Sequence, residues 1–480
     1  MTDAERIADL ERQLAERDAR IAALEAQVAA LLARVEDLTR QLAQNSSNSS
    51  KPPSSDGPAA PRQAPRKPSG KKRGAQPGHK GAYRVQVPPD QVDHVVDHRP
   101  PACDGCGAAL TGDDPAPTVH QVTEIPPAHA EVTAHRLHAL RCGACGVTTC
   151  APWPSDVPRG AFGPRLTALT ATLTGVYHVG RRTAHGLLRD WFGVTMALGS
   201  VIACERTVSA ALAQPVTDAQ AYVQAQAVVH ADETGWRQAT QRAWLWVAVT
   251  LHVTVFVLHA RRGVAGARAL LGSFAGWLVT DRWSAYNAWA VERRQLCWAH
   301  LLRYWVSFTQ YSNGKVIWLG KQLLEHTEAM FTAWHRVRDG TMTHAAFQAE
   351  MAPRRKAVEA LLDYGTQCGV KRVAGICRAI LKLRVALWTF IDVAGLEPTN
   401  NAAERAIRQG VVWRRLSLGT QSEAGSRFVE RLLTTTATLR QQGRSIVGFL
   451  TAAVEAKSRG VPAPSLLPTT SAPVPLQAAA

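Results

Sequence analysis

The stretch AVVHAD at residues 227–232 and the stretch WLVTD at 277–281 are two short apolar runs, each closing on a carboxylate. Between them lie a hairpin-like segment at 243–260 and a helical pattern near 264–274, and a further strand is expected near Gln295–Trp298. Strands interleaved with helices make a central sheet the simplest architecture. Segment 243–260, bounded by Arg242 and Arg261, is long enough to raise the question of a membrane span. Its Val, Thr, Trp and Phe content, its two histidines and the break at Thr250-Leu251-His252 favour two strands instead.

Asp232 and Asp281, at the ends of neighbouring strands, would meet at one sheet edge. Glu404, in the first turn of a helix opening at Asn400-Asn401, would complete an oxygen cage for Mg²⁺. Two such ions can clamp an in-line displacement at phosphorus. Each residue has a plainer reading: an Asp closing a strand is commonly a turn former, and Asn401-Ala402-Ala403-Glu404 spells a capping box. Cys297-Trp298-Ala299-His300 is weak as an isolated zinc motif, because two more ligands would be needed.

Outward toward the N-terminus, residues 159–226 carry successive short helical patterns rich in Arg, open to a helix-turn-helix or a plain bundle. Segment 83–158 holds Cys103, Cys106, Cys142 and Cys145 as two CxxC pairs, each followed by Gly, which read as two halves of a tetrahedral Zn²⁺ site. The intervening run Glu131–Leu140 is strand-like and is expected to close a small β unit.

Residues 45–82 are Ser-, Pro- and Gly-rich and form a basic disordered linker on this reading. Eight Lys or Arg, Lys71, Lys72 and Arg73 among them, stand against the single acid Asp56 in 51–82. Such an arm suits phosphate binding by counterion release. Residues 1–44 carry heptads with Ile7, Leu14, Ile21, Val28, Val35 and Leu42 at a, and Leu10, Arg17, Leu24, Leu31 and Leu38 at d. β-Branched residues at a and Leu at d favour a parallel two-stranded coiled coil.

Toward the C-terminus, 227–314 is the first part of a core, 315–396 a helical insertion, 397–460 the second part of the core with the Glu404 helix, and 461–480 a tail expected to be disordered. Over 480 residues the formal net charge is +17, which points to a polyanionic partner. Nine cysteines are too sparse for a secreted disulfide framework. No signal peptide is visible, and a cytoplasmic, non-membrane protein is expected.

The ordered set SSNSSKPPSSD, GAQPGHKG, the paired CxxC, HADETGW, LVTDRWSAYN, CWAH and PTNNAAERAIR resembles the insertion-sequence 66 family of bacterial transposases over almost the whole chain. The resemblance implies an N-terminal coiled coil, a zinc-binding module and a ribonuclease H-like core with a helical insertion; with the zinc module read as a small β unit and the helical region at 159–226 as a possible DNA-binding segment, the expected fold is multidomain α+β. It makes Asp232, Asp281 and Glu404 the catalytic carboxylates and Mg²⁺ ligands, and brings His300 near DNA or the active site, with Cys297 structural. Arg405 and Arg408 on the Glu404 helix suit nearby phosphates. One departure is the pair Arg282-Trp283 where the familiar form often has Gly-Tyr.

The expected activity is Mg²⁺-dependent cleavage and strand transfer of DNA carrying terminal inverted repeats, by a homodimer joined through the coiled coil, with accessory proteins of the same element. A zinc-stabilised DNA-binding repressor and a site-specific nuclease are the rival classes.

Overall fold

The computed structural model describes residues 3–49, 56, 85–155 and 157–468. Lys71, Lys72, Arg73 and most of the basic arm lie outside the described residues. The chain divides into two compact units, one of residues 1–60, 135–186 and 196–480, the other of residues 61–134 with 187–195.

The N-terminal helix α1 runs from Asp3 to Leu42 and leaves its apolar seam exposed, with Ile21, Leu24 and Val28 all about half accessible. Near its C-terminal end the Arg40 guanidinium lies 4.3 Å over the Tyr311 ring, and beyond the helix Asn48 Nδ2 donates to Gln310 Oε1 at 2.9 Å. Residues 45–49, assigned from composition to a linker, form a hydrogen-bonded turn in which Ser46 donates from both its amide and its hydroxyl to the Asp56 carboxylate.

Two three-residue strands, β1 (Ala139–Arg141) and β2 (Thr148–Cys150), pair antiparallel around the second CxxC turn. The longer strand expected over Glu131–Leu140 is not formed: residues 131–138 carry no regular secondary structure, and the strand begins at Ala139. Four helices follow: α2 (Pro164–Gly175), α3 (Arg181–Phe192), α4 (Leu198–Ala211) and α5 (Ala213–Gln224).

The central sheet contains β3 (Val228–Gln238), β4 (Gln241–Val249), β5 (Thr254–His259), β6 (Trp277–Thr280) and β7 (Arg294–Leu296), in the order β5-β4-β3-β6-β7. The segment weighed as a membrane span is the β4–β5 hairpin, and no helix among the described residues is long and apolar enough to cross a membrane. β3, β4 and β5 form an antiparallel meander, while β6 lies parallel to β3 and β7 parallel to β6. Helix α6 (Val264–Leu271) makes the crossover between β5 and β6.

The remaining helices are α7 (Trp298–Phe308), α8 (Gly314–Arg338), α9 (His344–Thr366), α10 (Lys371–Leu381), α11 (Val385–Asp392), α12 (Asn401–Ser417), α13 (Glu423–Gln441) and α14 (Ile446–Arg459). Helices α7 to α11 pack in a second apolar cluster around Trp298, Trp305, Phe347, Trp388 and Phe390, which also takes in Val279 of β6 and Leu296 of β7. This second core is what allows so long an insertion to stand as a folded layer. Residues of α2, α4, α12, α13 and α14 share the other cluster with the sheet.

Neighbouring residues on a strand point to opposite faces. A Cβ on Gly410 of α12 would lie 2.2 Å from Leu245, and one on Gly266 of α6 would lie 2.6 Å from Trp246. Helices α12 and α6 therefore cover opposite faces of β4. The edge strand β5 is sealed by α13: the amides of Thr254, Phe256 and Leu258 donate to Thr438 Oγ1, Thr434 Oγ1 and Glu430 Oε1. Two residues of strand advance about 6.8 Å and four of helix about 6 Å, so an i, i+4 stripe of acceptors can meet every outward amide of an edge. The stripe fills the row of donors that would otherwise invite pairing with another chain.

The C-terminal tail is not featureless up to residue 468: Leu466 is fully buried, and its carbonyl accepts from Gln442 Nε2 at 2.9 Å. A buried leucine anchors a Pro-rich segment that composition alone marks as unstructured.

Candidate active site

Strand register brings the two aspartates together. His230 of β3 stands opposite Val279 of the parallel β6, so Asp232 and Asp281, each two residues further on, come level. Asp232 does not end its strand, as the sequence suggested. It pairs with Val247 in the middle of β3, which continues to Gln238 against β4, with Gln238 also bridging Thr420. Asp281 does follow directly on the last residue of β6, and its Oδ1 accepts from the Trp283 amide at 2.8 Å.

Asp232 and Val247, paired across the ladder, share the face of Leu245, which is the α12 face. The start of α12 is tied beside Asp232 by the fully buried Asn400, whose Nδ2 donates to the Ala231 carbonyl at 2.8 Å. Asn400 caps the helix without a side-chain capping bond. The capping-box role for Glu404 does not hold: its carboxylate faces His300 Nδ1 at 3.4 Å and the Arg303 guanidinium at 3.7 Å. His300 and Arg303 sit three apart on α7, and thus on one face.

Burial first, and then the charges of Glu233, Asp281 and Glu404, push the Asp232 carboxyl well above the usual carboxylate range. A divalent cation is the partner that would reverse this repulsion. An all-oxygen donor set of three carboxylates suits a hard ion such as Mg²⁺, so the residues present fit that group.

On the opposite face, Glu233 is held in a buried network that spacing gave no means of finding. Tyr286 donates from its hydroxyl to Glu233 Oε2 at 2.8 Å, and Arg262 binds Oε1 at 3.0 Å. Arg262 lies 3.9 Å over the Trp283 ring and 4.8 Å over the Trp244 ring, and Trp283 Nε1 donates to the Arg262 carbonyl. The Trp283 that departs from the familiar pattern is thus half-buried and stacks on Arg262. Burial, helped by the charge of Asp281, pushes the Glu233 carboxyl up to about 7.

Cys297 caps α7 and is almost fully buried, with Sγ accepting from the Asn400 amide at 3.1 Å. Burial pushes its thiol up to about 12 and pulls His300 below its ordinary value. Arg405 and Arg408 are exposed on α12.

The CxxC pairs form two similar turns. Gly107 and Gly146, at φ of +72° and +73°, donate to the Cys103 and Cys142 carbonyls at 2.8 and 2.9 Å. Glycine takes this left-handed conformation without steric cost, which accounts for the Gly after each pair. Cys103 is held below the ordinary thiol range by the Gly105 and Cys106 amides, and Cys142 by those of Cys145 and Ala144. Amides aimed at sulfur favour the thiolate that binds metal.

Arg303, Asn400, Glu233, Arg262 and Tyr286 are the site residues that sequence reasoning missed. Only Arg303, one turn after His300, carried a periodic signal.

Comparison with known proteins gives three family matches. The family described as "Transposase IS66 family" matches residues 159–427, more than half of the chain. The "zinc-finger binding domain of transposase IS66" matches residues 100–146, spanning both CxxC pairs, and a family of unknown function matches residues 4–85. A curated relative, "Uncharacterized protein y4qI" of Sinorhizobium fredii, is 25% identical over 250 residues, covering 47% of this chain and 45% of the relative. The chain thus spans less than half the length of that relative.

Proposed function

The chain belongs to the IS66 family of transposases, and on that premise we propose that it cuts and joins DNA at the ends of an insertion sequence, with Asp232, Asp281 and Glu404 as the catalytic carboxylates. The observation that carries this reading is the level placement of Asp232 and Asp281, with the Glu404 helix tied to Ala231 beside them. Three antiparallel strands followed by two parallel ones, in the order β5-β4-β3-β6-β7, support a ribonuclease H-like core.

Two Mg²⁺ held by the three carboxylates would activate water or a 3′-hydroxyl for in-line attack and stabilise the leaving oxygen. Within the chain, Arg303 and His300 orient Glu404, and the Arg262–Glu233–Tyr286 network fixes the loop that carries Asp281. Arg405 and Arg408 project from the same helix as Glu404 and suit the phosphates of bound DNA. Cys103, Cys106, Cys142 and Cys145 would hold one Zn²⁺, supported by the zinc-finger match across both pairs. The exposed seam of α1 supports a homodimer in which two DNA ends are synapsed, and accessory proteins of the same element fit the family setting.

The test is Mg²⁺-dependent cleavage and joining of a duplex bearing the element's own terminal repeats, wild type against Asp281→Ala. Joined product lost in the variant is expected. Tight binding by folded protein without any metal-dependent product, accessory proteins supplied, would replace this reading with the repressor. Cleavage without joining would replace it with a nuclease.

A further inference from the structure

We propose that Cys297, His300 and Glu404 form a second metal site, one that takes a thiophilic divalent cation of the Zn²⁺ class and, when filled, withdraws Glu404 from the carboxylate triad. The binding half of this inference stands on geometry alone, and the inhibitory half rests on the function proposed above.

A CxxH pair by itself lacks ligands, and the fold supplies the third. One sulfur, one imidazole nitrogen and one carboxylate oxygen from these residues all lie within 4.8 Å of one another. His300 Nδ1 and Glu404 Oε1 face each other at 3.4 Å, and both are buried without a hydrogen-bond partner. A tetrahedral ion with bonds of about 2.0–2.3 Å would draw its ligands to separations of about 3.5 Å, a contraction within the reach of side-chain rotation. Three protein ligands would leave a fourth position for water.

The donor set also selects the ion. Thiolate and imidazole favour Zn²⁺ over Mg²⁺, whereas the neighbouring set of three carboxylates has the opposite preference. Two cross-links hold the ligands in register: the Asn400 amide donates to Cys297 Sγ at 3.1 Å, and the Trp298 amide donates to the Pro398 carbonyl at 2.9 Å. They join the start of α7 to the start of α12, so the ligands approach from two elements already fastened together. Such outer contacts orient metal ligands. On binding, the Cys297 S–H bond is replaced by a sulfur–metal bond and the thiol proton leaves to solvent, with no change of oxidation state.

Glu404 belongs to both sets of ligands, so the two occupancies compete. Zinc at this site would switch the enzyme off without displacing either aspartate.

Full-length protein, its CxxC module already loaded with zinc, is titrated with Co²⁺ and followed by absorption. One further equivalent with a thiolate-to-cobalt charge-transfer band is expected in the wild type. That band should be lost in Cys297→Ser, where the hydroxyl still accepts from the Asn400 amide, and weakened at least tenfold in affinity in His300→Gln. In parallel, with Mg²⁺ saturating, one equivalent of added Zn²⁺ should lower strand joining at least tenfold in the wild type and less than twofold in Cys297→Ser. Thermal melting checks that each variant folds, and Cys297→Ala takes the place of the serine variant in both arms if the buried serine does not fold.

No cobalt–thiolate band in a protein that is active with Mg²⁺ overturns this inference and leaves the transposase reading standing. A band that persists in both variants, or equal zinc inhibition with and without Cys297, overturns it as well. A band of the expected kind without any Mg²⁺-dependent product supports the metal site and overturns the function proposed for the carboxylates.

Discussion

The buried hydroxyl of Tyr286 donates to Glu233 Oε2 at 2.8 Å, linking the residue after Asp232 to the loop that begins at Asp281. The link continues through Arg262, which binds Glu233 Oε1 and stacks on Trp283, whose amide holds Asp281 Oδ1. Asp232 on β3 and Asp281 just past the end of β6 are thereby tied to one network.

Tyr286→Phe removes one donor from a carboxylate that is 1% exposed. The expected cost is about 1.5–3 kcal/mol in urea unfolding, the range for a buried hydrogen bond to a charged group. The Mg²⁺ concentration giving half-maximal cleavage should rise as the Asp281 loop loosens. A variant that loses stability but keeps its Mg²⁺ midpoint would confine the network to a structural role.

Gly276→Ala tests the register of the aspartates. A Cβ there would lie 2.6 Å from the carbonyl oxygens of both Gln226 and Ala227, and backbone cannot swing aside. Because the Trp277 amide donates to the Ala227 carbonyl at 2.7 Å, the new methyl would push β6 away from β3 at its first pair. Expected are a loss of about 1–3 kcal/mol, the usual cost of overpacking, and reduced cleavage even below the melting temperature.

Thr434→Val exchanges a hydroxyl for a methyl of similar size and leaves the Phe256 amide without its acceptor at the sheet edge. The predicted cost is about 1–3 kcal/mol. Hydrogen exchange at Phe256 should accelerate well beyond that at the central strand β4, and unchanged exchange would show that the edge is sealed by other means.

Cys377, buried in the helical insertion, has its thiol pushed up to about 12 by burial, with a smaller effect from Cys368. The unfolded chain releases this proton nearer the ordinary value of 9.0. Its contribution is therefore fully present below about pH 9 and lost as pH rises toward about 12, with a slope of at most about 1.4 kcal/mol per pH unit. Cys377→Ala should be less stable at neutral pH but show a shallower decline in urea-unfolding free energy above about pH 9.

Leu24→Lys places a charge at the centre of the exposed α1 seam. If that seam pairs with a second copy, the substitution should cost the dimer about 2–5 kcal/mol, the scale of deleting a buried leucine. Light scattering would show monomer, while the far-ultraviolet signal of the remaining domains persists. A variant of unchanged mass would place dimerisation elsewhere.

Features carried by local pattern were legible before any fold was in view. The β4–β5 hairpin announced itself through β-branched and aromatic residues around a polar break, and the apolar seam of α1 through its heptads. The extension of β3 beyond Asp232 was not legible, because Glu233-Thr234-Gly235 interrupts apolar alternation. Thr234 is held by Arg414 and Glu233 by Tyr286 and Arg262, so polar side chains fill strand positions only because distant partners satisfy them.

By itself the sequence determined the periodic elements, the CxxC turns with their glycines, and the family through ordered motifs. Each of these depends on residues a few positions apart, whose geometry the backbone dictates. Only the tertiary structure decided that Asp232 lies within a strand, that Glu404 faces His300 and Arg303 and caps no helix, and that α13 seals the sheet edge. Those outcomes depend on strand register and on helix packing, the latter between residues more than a hundred positions apart. There, the need to satisfy buried polar groups selects among partners that local spacing cannot distinguish.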